Sequence, residues 1–176
     1  MVFLDTNIWI ELLAVSSPQK DYQVKQARAA SKLLKNIHTS GKKIITCKEQ
    51  LVELIHAVMK IQMGRFNKLQ KTQGLPGVGG LKQFRKSDEF LLAKEICKQA
   101  YHSMTELAVL DDSFSYNVYD ILASIEQADI NDIMYCTYCQ KNNIQLYTFD
   151  KDMNEIDCAS GIVNVLNIGE SKCSLQ

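Results

Sequence analysis

Apolar residues fall along this chain in two rhythms, short apolar-rich runs and longer stretches at three-to-four-residue spacing, and their alternation predicts strands interleaved with helices. The short runs are Val2-Phe3-Leu4, Lys43 to Thr46, Leu107 to Leu110, Ile144 to Thr148 and Ile162 to Ile168. Between the first two, Asn7 to Leu13 reads as a short helix and Asp21 to Ile37 as an amphipathic one. Val24, Ala27, Leu33, Leu34 and Ile37 mark the apolar face of the second, and Gly41 helps to end it. Further helices are expected from about Cys47 to Ile61, from Ser87 to about His102, from Ser115 to about Gln127 and from Asn131 to Lys141, the last closed by Asn142-Asn143. Strands this apolar are buried on both faces, so the pattern implies an α/β fold with a largely parallel sheet.

Two local signals refine that outline. Thr46-Cys47-Lys48-Glu49 matches a capping box, with Thr46 as N-cap and Glu49 reaching back to it. On that reading Glu49 has a structural role, and Glu53, one turn later on the same face, is left over for chemistry. Five of the eight glycines lie within 64 to 80, which predicts a loop or a mobile hairpin of helices there rather than a second domain. Residues 1 to 176 are therefore expected to form one domain with a basic, glycine-containing insertion at about 60 to 100.

An apolar content of 46% excludes a disordered chain. No apolar run approaches the roughly 18 residues of a membrane span, and the start lacks the basic n-region of a signal peptide. A cytoplasmic, membrane-free protein is expected, with its six cysteines as free thiols. Cys136 and Cys139 have CxxC spacing and can be combined on paper with Cys158 and Cys173 into a zinc site. Asp132, Cys136 and Cys139 share one helical stripe, however, which points these thiols toward the core.

The net charge of zero conceals an asymmetry. Residues 1 to 53 carry eight Lys and Arg against five acids, residues 54 to 87 seven against none, and residues 88 to 176 five against fifteen. A basic middle and an acidic end suit a protein that sets an acidic site beside a cationic surface for a polyanion. Lys60, Arg65, Lys68, Lys71, Lys82, Arg85 and Lys86 form the acid-free stretch, interleaved with Phe66 and Phe84. Arg65, Lys68, Arg85 and Lys86 are the candidate phosphate contacts.

Four carboxylates stand beside apolar strands or near helix starts: Asp5 after Val2-Phe3-Leu4, Glu53 on the helix opened near Thr46, Asp132 in Ile130-Asn131-Asp132-Ile133, and Asp150 after Leu146-Tyr147-Thr148-Phe149. Acids at the rim of an α/β sheet occupy the place where such folds bind ligands. Converging there, they would repel one another and resist ionisation unless a hard cation such as Mg²⁺ or Mn²⁺ compensated them. Singly, each has an ordinary role: Asp5 as a helix cap, Asp132 on first-turn amides, Asp150 in a turn, Glu53 in solvent.

Together these residues resemble the PIN-domain ribonucleases. The likeness rests on Val2-Phe3-Leu4-Asp5-Thr6-Asn7, on Glu53-Leu54 after the second strand, and on the segment from Asp132 through Thr148-Phe149-Asp150-Lys151-Asp152, where an acid opening a helix is followed by a turn, a strand and Thr-x-Asp. It covers about residues 1 to 56 and 105 to 168. The resemblance implies a PIN-like α/β/α sandwich around a twisted parallel sheet, with Asp5, Glu53, Asp132 and Asp150 lining a pocket for one or two Mg²⁺ or Mn²⁺ ions. Asp5 and Asp132 would be principal ligands, with Thr6, Asn7, Thr148 and Asp152 as supporting groups. It further implies RNA as substrate and a likeness to the toxins of bacterial toxin–antitoxin pairs, hence an antitoxin protein as partner; a homodimer is a separate expectation that the resemblance does not carry.

Three departures qualify that site. Asp129 lies one turn before Asp132, as a cap or an extra ligand; Asp152 can replace Asp150; and Glu53-Leu54-Ile55-His56 has the spacing of a carboxylate-bridged iron motif, although only one copy is present. A phosphatase using Asp5 as nucleophile would want a second acid at position 7, where Asn7 stands. A non-catalytic PIN-like module that binds RNA or protein is the remaining alternative, and clustered carboxylates that repel a phosphate backbone speak against it.

Overall fold

The structure, a computed structural model, describes residues 1 to 13 and 21 to 167. Five short strands form one sheet: β1 (Val2–Leu4), β2 (Ile44–Thr46), β3 (Ala108–Leu110), β4 (Gln145–Thr148) and β5 (Val163–Val165), in the order β3-β2-β1-β4-β5. All four pairings are parallel, with Val2 opposite Ile44 on one side and Leu4 opposite Tyr147 on the other. The helices are α1 (Thr6–Leu12), α2 (Asp21–Thr39), α3 (Lys48–Thr72), α4 (Leu81–Phe84), α5 (Glu89–Leu107), α6 (Val118–Ser124) and α7 (Ile130–Lys141), with two 3-10 turns at Asp152–Glu155 and Asp157–Ala159.

Alternation of side chains along the central strand divides the core into two layers. Val2 and Leu4 face α1, α2, α3 and α5, joining Trp9, Leu33, Leu54, Val58 and Met104. Phe3 faces the other way, onto Ile133, Tyr135, Tyr138 and Leu146 beneath α7 and the 3-10 turns. Helices cover both faces of the sheet around β1, as expected for an α/β/α sandwich, whereas Val109 and Leu110 on the edge strand β3 are exposed, against the expectation of strands buried on both faces. Cys136 and Cys139 are buried in the α7 layer, while Cys173 lies outside the described residues. Among the described residues no helix is long and apolar enough to cross a membrane.

Three local expectations are corrected. The capping box does not form: Thr46 belongs to β2, Cys47 holds the N-cap position without a side-chain cap, and Thr46 Oγ1 donates instead to Gln50 Oε1 at 2.9 Å. Gln50, fully buried, donates in turn to the carbonyl of Leu4 at 2.7 Å, so the hydroxyl serves a strand-to-helix tie rather than a helix end. Next, α3 does not stop near Ile61 but runs 25 residues to Thr72. Gly64, worth roughly 1 kcal/mol against the helix, is carried by packing of α3 on α5, where Ile55, Met59 and Ile61 join Cys97 and Ala100. The chain turns at Gly74, whose φ of 71° is left-handed. There Leu75 N–H reaches Gln70 O and Gly74 N–H reaches Lys71 O, a Schellman ending. The glycine-rich stretch is thus the bend of a helical hairpin, pinned by Asn67, whose side chain bonds both the N–H and the carbonyl of Val78. Finally, α6 covers only 118 to 124, shorter than the predicted 115 to 127, because Asn117 caps it by accepting from Tyr119 N–H. The last strand ends at Val165, and 168, the end predicted for it, lies outside the described residues.

Candidate functional site

Strand order reverses at β1. The chain moves outward from β1 to β2 and β3, then returns to the opposite side of β1 with β4 and β5. The crevice beyond the carboxyl ends of β1 and β4 is therefore the topological switch point, where open α/β sheets bind ligands. Asp5 follows β1 directly, and Asp150 follows β4 after one intervening residue.

Asp5 is the N-cap of α1 and only 5% exposed. Its Oδ1 accepts from Thr6 N–H at 2.5 Å, and its Oδ2 accepts from Asn7 Nδ2 and Thr148 Oγ1, both at 2.6 Å. Thr148, fully buried, links two acids: its hydroxyl donates to Asp5 and accepts from the backbone N–H of Asp150 at 2.9 Å. Asn7 completes the tie, donating to Thr148 Oγ1 at 3.0 Å and accepting from Phe149 N–H at 3.2 Å. The ends of β1 and β4 are thereby locked together by side chains as well as by the ladder.

Glu53 reaches the group from the second turn of α3. Its Oε2 accepts from Thr6 Oγ1 at 3.0 Å and from the Tyr135 hydroxyl at 2.6 Å. Burial and the neighbouring Glu53 carboxylate push the Tyr135 phenol well above its usual range, which keeps it a proton donor. Tyr135 is absent from the residues that the sequence pattern marks as candidates. The signal that could have found it is its place on α7 three residues after Asp132, on the same helical face, with a phenol able to pack and still reach a polar partner.

Asp132 stands in the first turn of α7, half-buried. Burial, then the charges of Asp5, Asp150, Glu53 and Asp129, raise its carboxyl to about 7. Asp5 is raised to about 6, mainly by burial, against the lowering effect of its Thr148 hydrogen bond and with further elevation from Glu53 and Asp150. Four acids from four separate elements thus share one electrostatic neighbourhood at the crevice. Asp129 holds the N-cap position of α7 without making a side-chain cap bond. Asp152 meets the group through its backbone, donating its N–H to Asp150 Oδ1 at 2.9 Å. His56 shares a cleft of about 480 Å³ with Lys48, Glu49, Val52, Glu53, Asn131 and Met134, a lining that takes in Glu53 but not Asp5, Asp132 or Asp150.

Among the described residues, no three His, Cys, Asp or Glu side chains stand together as a preformed metal-binding group. The donor chemistry fits a hard divalent cation all the same: every candidate ligand is a carboxylate oxygen, and burial, with the neighbouring carboxylates, raises both Asp5 and Asp132, an elevation that a bound cation would oppose.

The basic residues lie elsewhere. Arg65 and Lys68 sit in the distal half of α3, and Arg85 and Lys86 follow α4 across the hairpin. At 1.5 Å per residue, Lys68 lies roughly 22 Å along α3 from Glu53. Lys68, Arg85 and Lys86 are exposed, whereas Arg65 is half-buried, with a 3.4 Å contact to Gln62 Oε1. Phe84 is fully buried between Phe66 and Phe90, at ring separations of 5.6 and 6.0 Å, so it is hairpin core and offers no face for stacking a base.

The family model described as PIN domain matches residues 2–158, a span that takes in all four acids and the basic hairpin between them. No curated protein matches the chain.

Proposed function

The chain belongs to the PIN domain family, whose members are generally nucleases, and from that premise we propose that it is a Mg²⁺- or Mn²⁺-dependent endoribonuclease using Asp5, Glu53, Asp132 and Asp150. The observation that carries the reading is the gathering of these acids at the switch point with Asp132 and Asp5 raised to about 7 and 6. A purely structural role would not assemble uncompensated charge there, since each acid has a cheaper use as a lone cap or surface group. Asp5 and Asp132 are the principal ligands in this proposal, and Glu53 and Asp150 complete the set directly or through water. When bound, the ion supplies a nucleophilic hydroxide and offsets charge developing on the phosphate during in-line attack.

The chain's own residues do the positioning. Thr6 and Tyr135 both donate to one Glu53 oxygen and fix the carboxylate there. Thr148 and Asn7 hold Asp5 and the Asp150 backbone in register. We read the helical hairpin at about 60 to 100 as a basic insertion in a single domain that lays Lys68, Arg85, Lys86 and Arg65 along an RNA strand leaving the acids. We further propose a toxin-like role in the cytoplasm, with an antitoxin protein and a second copy of the chain as partners.

The test is incubation of purified protein with mixed single-stranded and structured RNAs, with and without Mg²⁺ or Mn²⁺, beside Asp5→Asn and Asp132→Asn. Metal-dependent internal cleavage that both variants lose supports the reading. Binding without cleavage by the wild type would instead make this a non-catalytic RNA-binding module, and cleavage by either repurified variant would overturn the site.

A further inference from the structure

All five described cysteines are free thiols, and two of them face each other across the α7 layer. Cys136, on α7, has no solvent exposure; Cys158, in the 3-10 turn Asp157–Ala159, is half-buried. Cys158 Sγ donates to Cys136 Sγ at 2.9 Å. A disulfide bond is about 2.05 Å long, so joining them needs a shift of under about 1 Å. Cys97 lies in the opposite layer beyond the sheet, and Cys47 and Cys139 are wholly buried.

We propose that Cys136 and Cys158 form a reversible disulfide, with a peroxide as electron acceptor, tying the segment that follows Asp150 to the helix that carries Asp132. The two thiols divide the work. Cys158 is the one reachable from solvent, and its hydrogen bond with Cys136, with Thr137 Oγ1 at 3.8 Å, holds its thiol below the usual range; the same bond and burial push Cys136 up. In the first step the Cys158 thiolate takes one peroxide oxygen, the O–O bond breaks, and the products are a sulfenic acid and, after protonation, water. In the second, the Cys136 sulfur gives up its proton, attacks the Cys158 sulfur and expels the sulfenic oxygen as a second water. Two thiols lose two hydrogens, the peroxide gains two electrons, and a small dithiol reverses the change.

The bridge would span 22 positions and enclose β4, Thr148 and Asp150, while Cys136 lies one turn beyond Asp132. Its formation depends only on the thiol geometry; any effect on cleavage rests on the nuclease reading.

The test treats the purified full chain with hydrogen peroxide near stoichiometry, blocks remaining thiols, digests without reductant and maps the peptides by mass. The expected product is a linked pair containing Cys136 and Cys158, lighter by two hydrogens and released by dithiothreitol, with Tm raised by about 5–10 °C. Cys158→Ser, at the half-buried position, should lose the link and the shift, and Cys97→Ser should keep both. Unchanged thiols, only sulfinic acid at Cys158, a bridge to any other cysteine including Cys173, or a bridge that survives in Cys158→Ser would each overturn the proposal. Mass and melting temperature are read without RNA, so failure here is distinguishable from failure of the nuclease reading.

Discussion

Asp132→Asn should make the metal-free protein more stable at pH 8 while abolishing its response to metal. An acid whose pKa is raised in the folded state holds a proton that the unfolded chain has already released. The folded state is therefore favoured at low pH and loses that advantage as pH climbs from the unfolded pKa, near 4, through the folded value of about 7. Taken at face value, a rise from 3.8 to about 7 corresponds to roughly 4 kcal/mol at 1.36 kcal/mol per pKa unit. Asp132 is half-buried, and solvent screening reduces this to about 2 kcal/mol. Asparagine cannot ionise, so the variant-minus-wild-type difference should be near zero at pH 4 and grow to about 2 kcal/mol in favour of the variant by pH 8. Urea unfolding in EDTA across that range measures it. Added Mg²⁺ or Mn²⁺ at about 100 times its Kd should stabilise the wild type by roughly 2.7 kcal/mol at pH 8 and leave Asp132→Asn unmoved. A flat difference curve, or a variant less stable than the wild type at pH 8, would refute the reasoning. Asp132 would then be an ordinary first-turn carboxylate serving its own helix.

Two further outcomes follow from the site's geometry. Glu53→Gln should cut cleavage about 10–100-fold, because Thr6 and Tyr135 both aim donors at one carboxylate oxygen, whereas Glu49→Gln should leave cleavage intact; a gel assay on labelled RNA separates them, and equal loss would refute a role particular to Glu53. Replacing Arg65, Lys68, Arg85 and Lys86 by Ala should weaken RNA binding and flatten the slope of log K against log salt by about 0.7 for each single-strand phosphate that is no longer neutralised; an unchanged slope would place RNA elsewhere on the protein.

The layered α/β fold was legible because apolar runs and helical periodicity are local properties, and the five strands fall where those runs do. What local pattern does not carry is the choice of partner. Gln50 ties Thr46 to the Leu4 carbonyl across 46 positions, and that long-range bond displaces a capping box that looked complete within four residues. The same holds for α3: Gly64 argues for an end, but the apolar face of α5, about 40 residues on, outweighs it. Phe84 read as part of a basic, aromatic surface, and its burial depends on Phe66 and Phe90 meeting it from either side of the bend.

The acids divide along the same line. Asp5, Asp132 and Asp150 announce themselves by standing next to strands or helix starts, since a charge there is costly unless it lies at a rim. Their convergence is a consequence of β4 returning to the free side of β1, which no single segment encodes. Tyr135 shows the difference most clearly. Within α7 it is one more apolar residue of a buried face, tilted against Phe3 with ring centroids 5.1 Å apart. Only when β1 and β4 are neighbours does that packing bring its hydroxyl within 2.6 Å of Glu53, 82 positions away. The core contact that fixes the α7 layer on the sheet therefore also holds the helix that carries Asp132 to Glu53 through the Tyr135 hydroxyl. A packing change at Phe3 therefore reaches Glu53 through the Tyr135 ring and its hydroxyl.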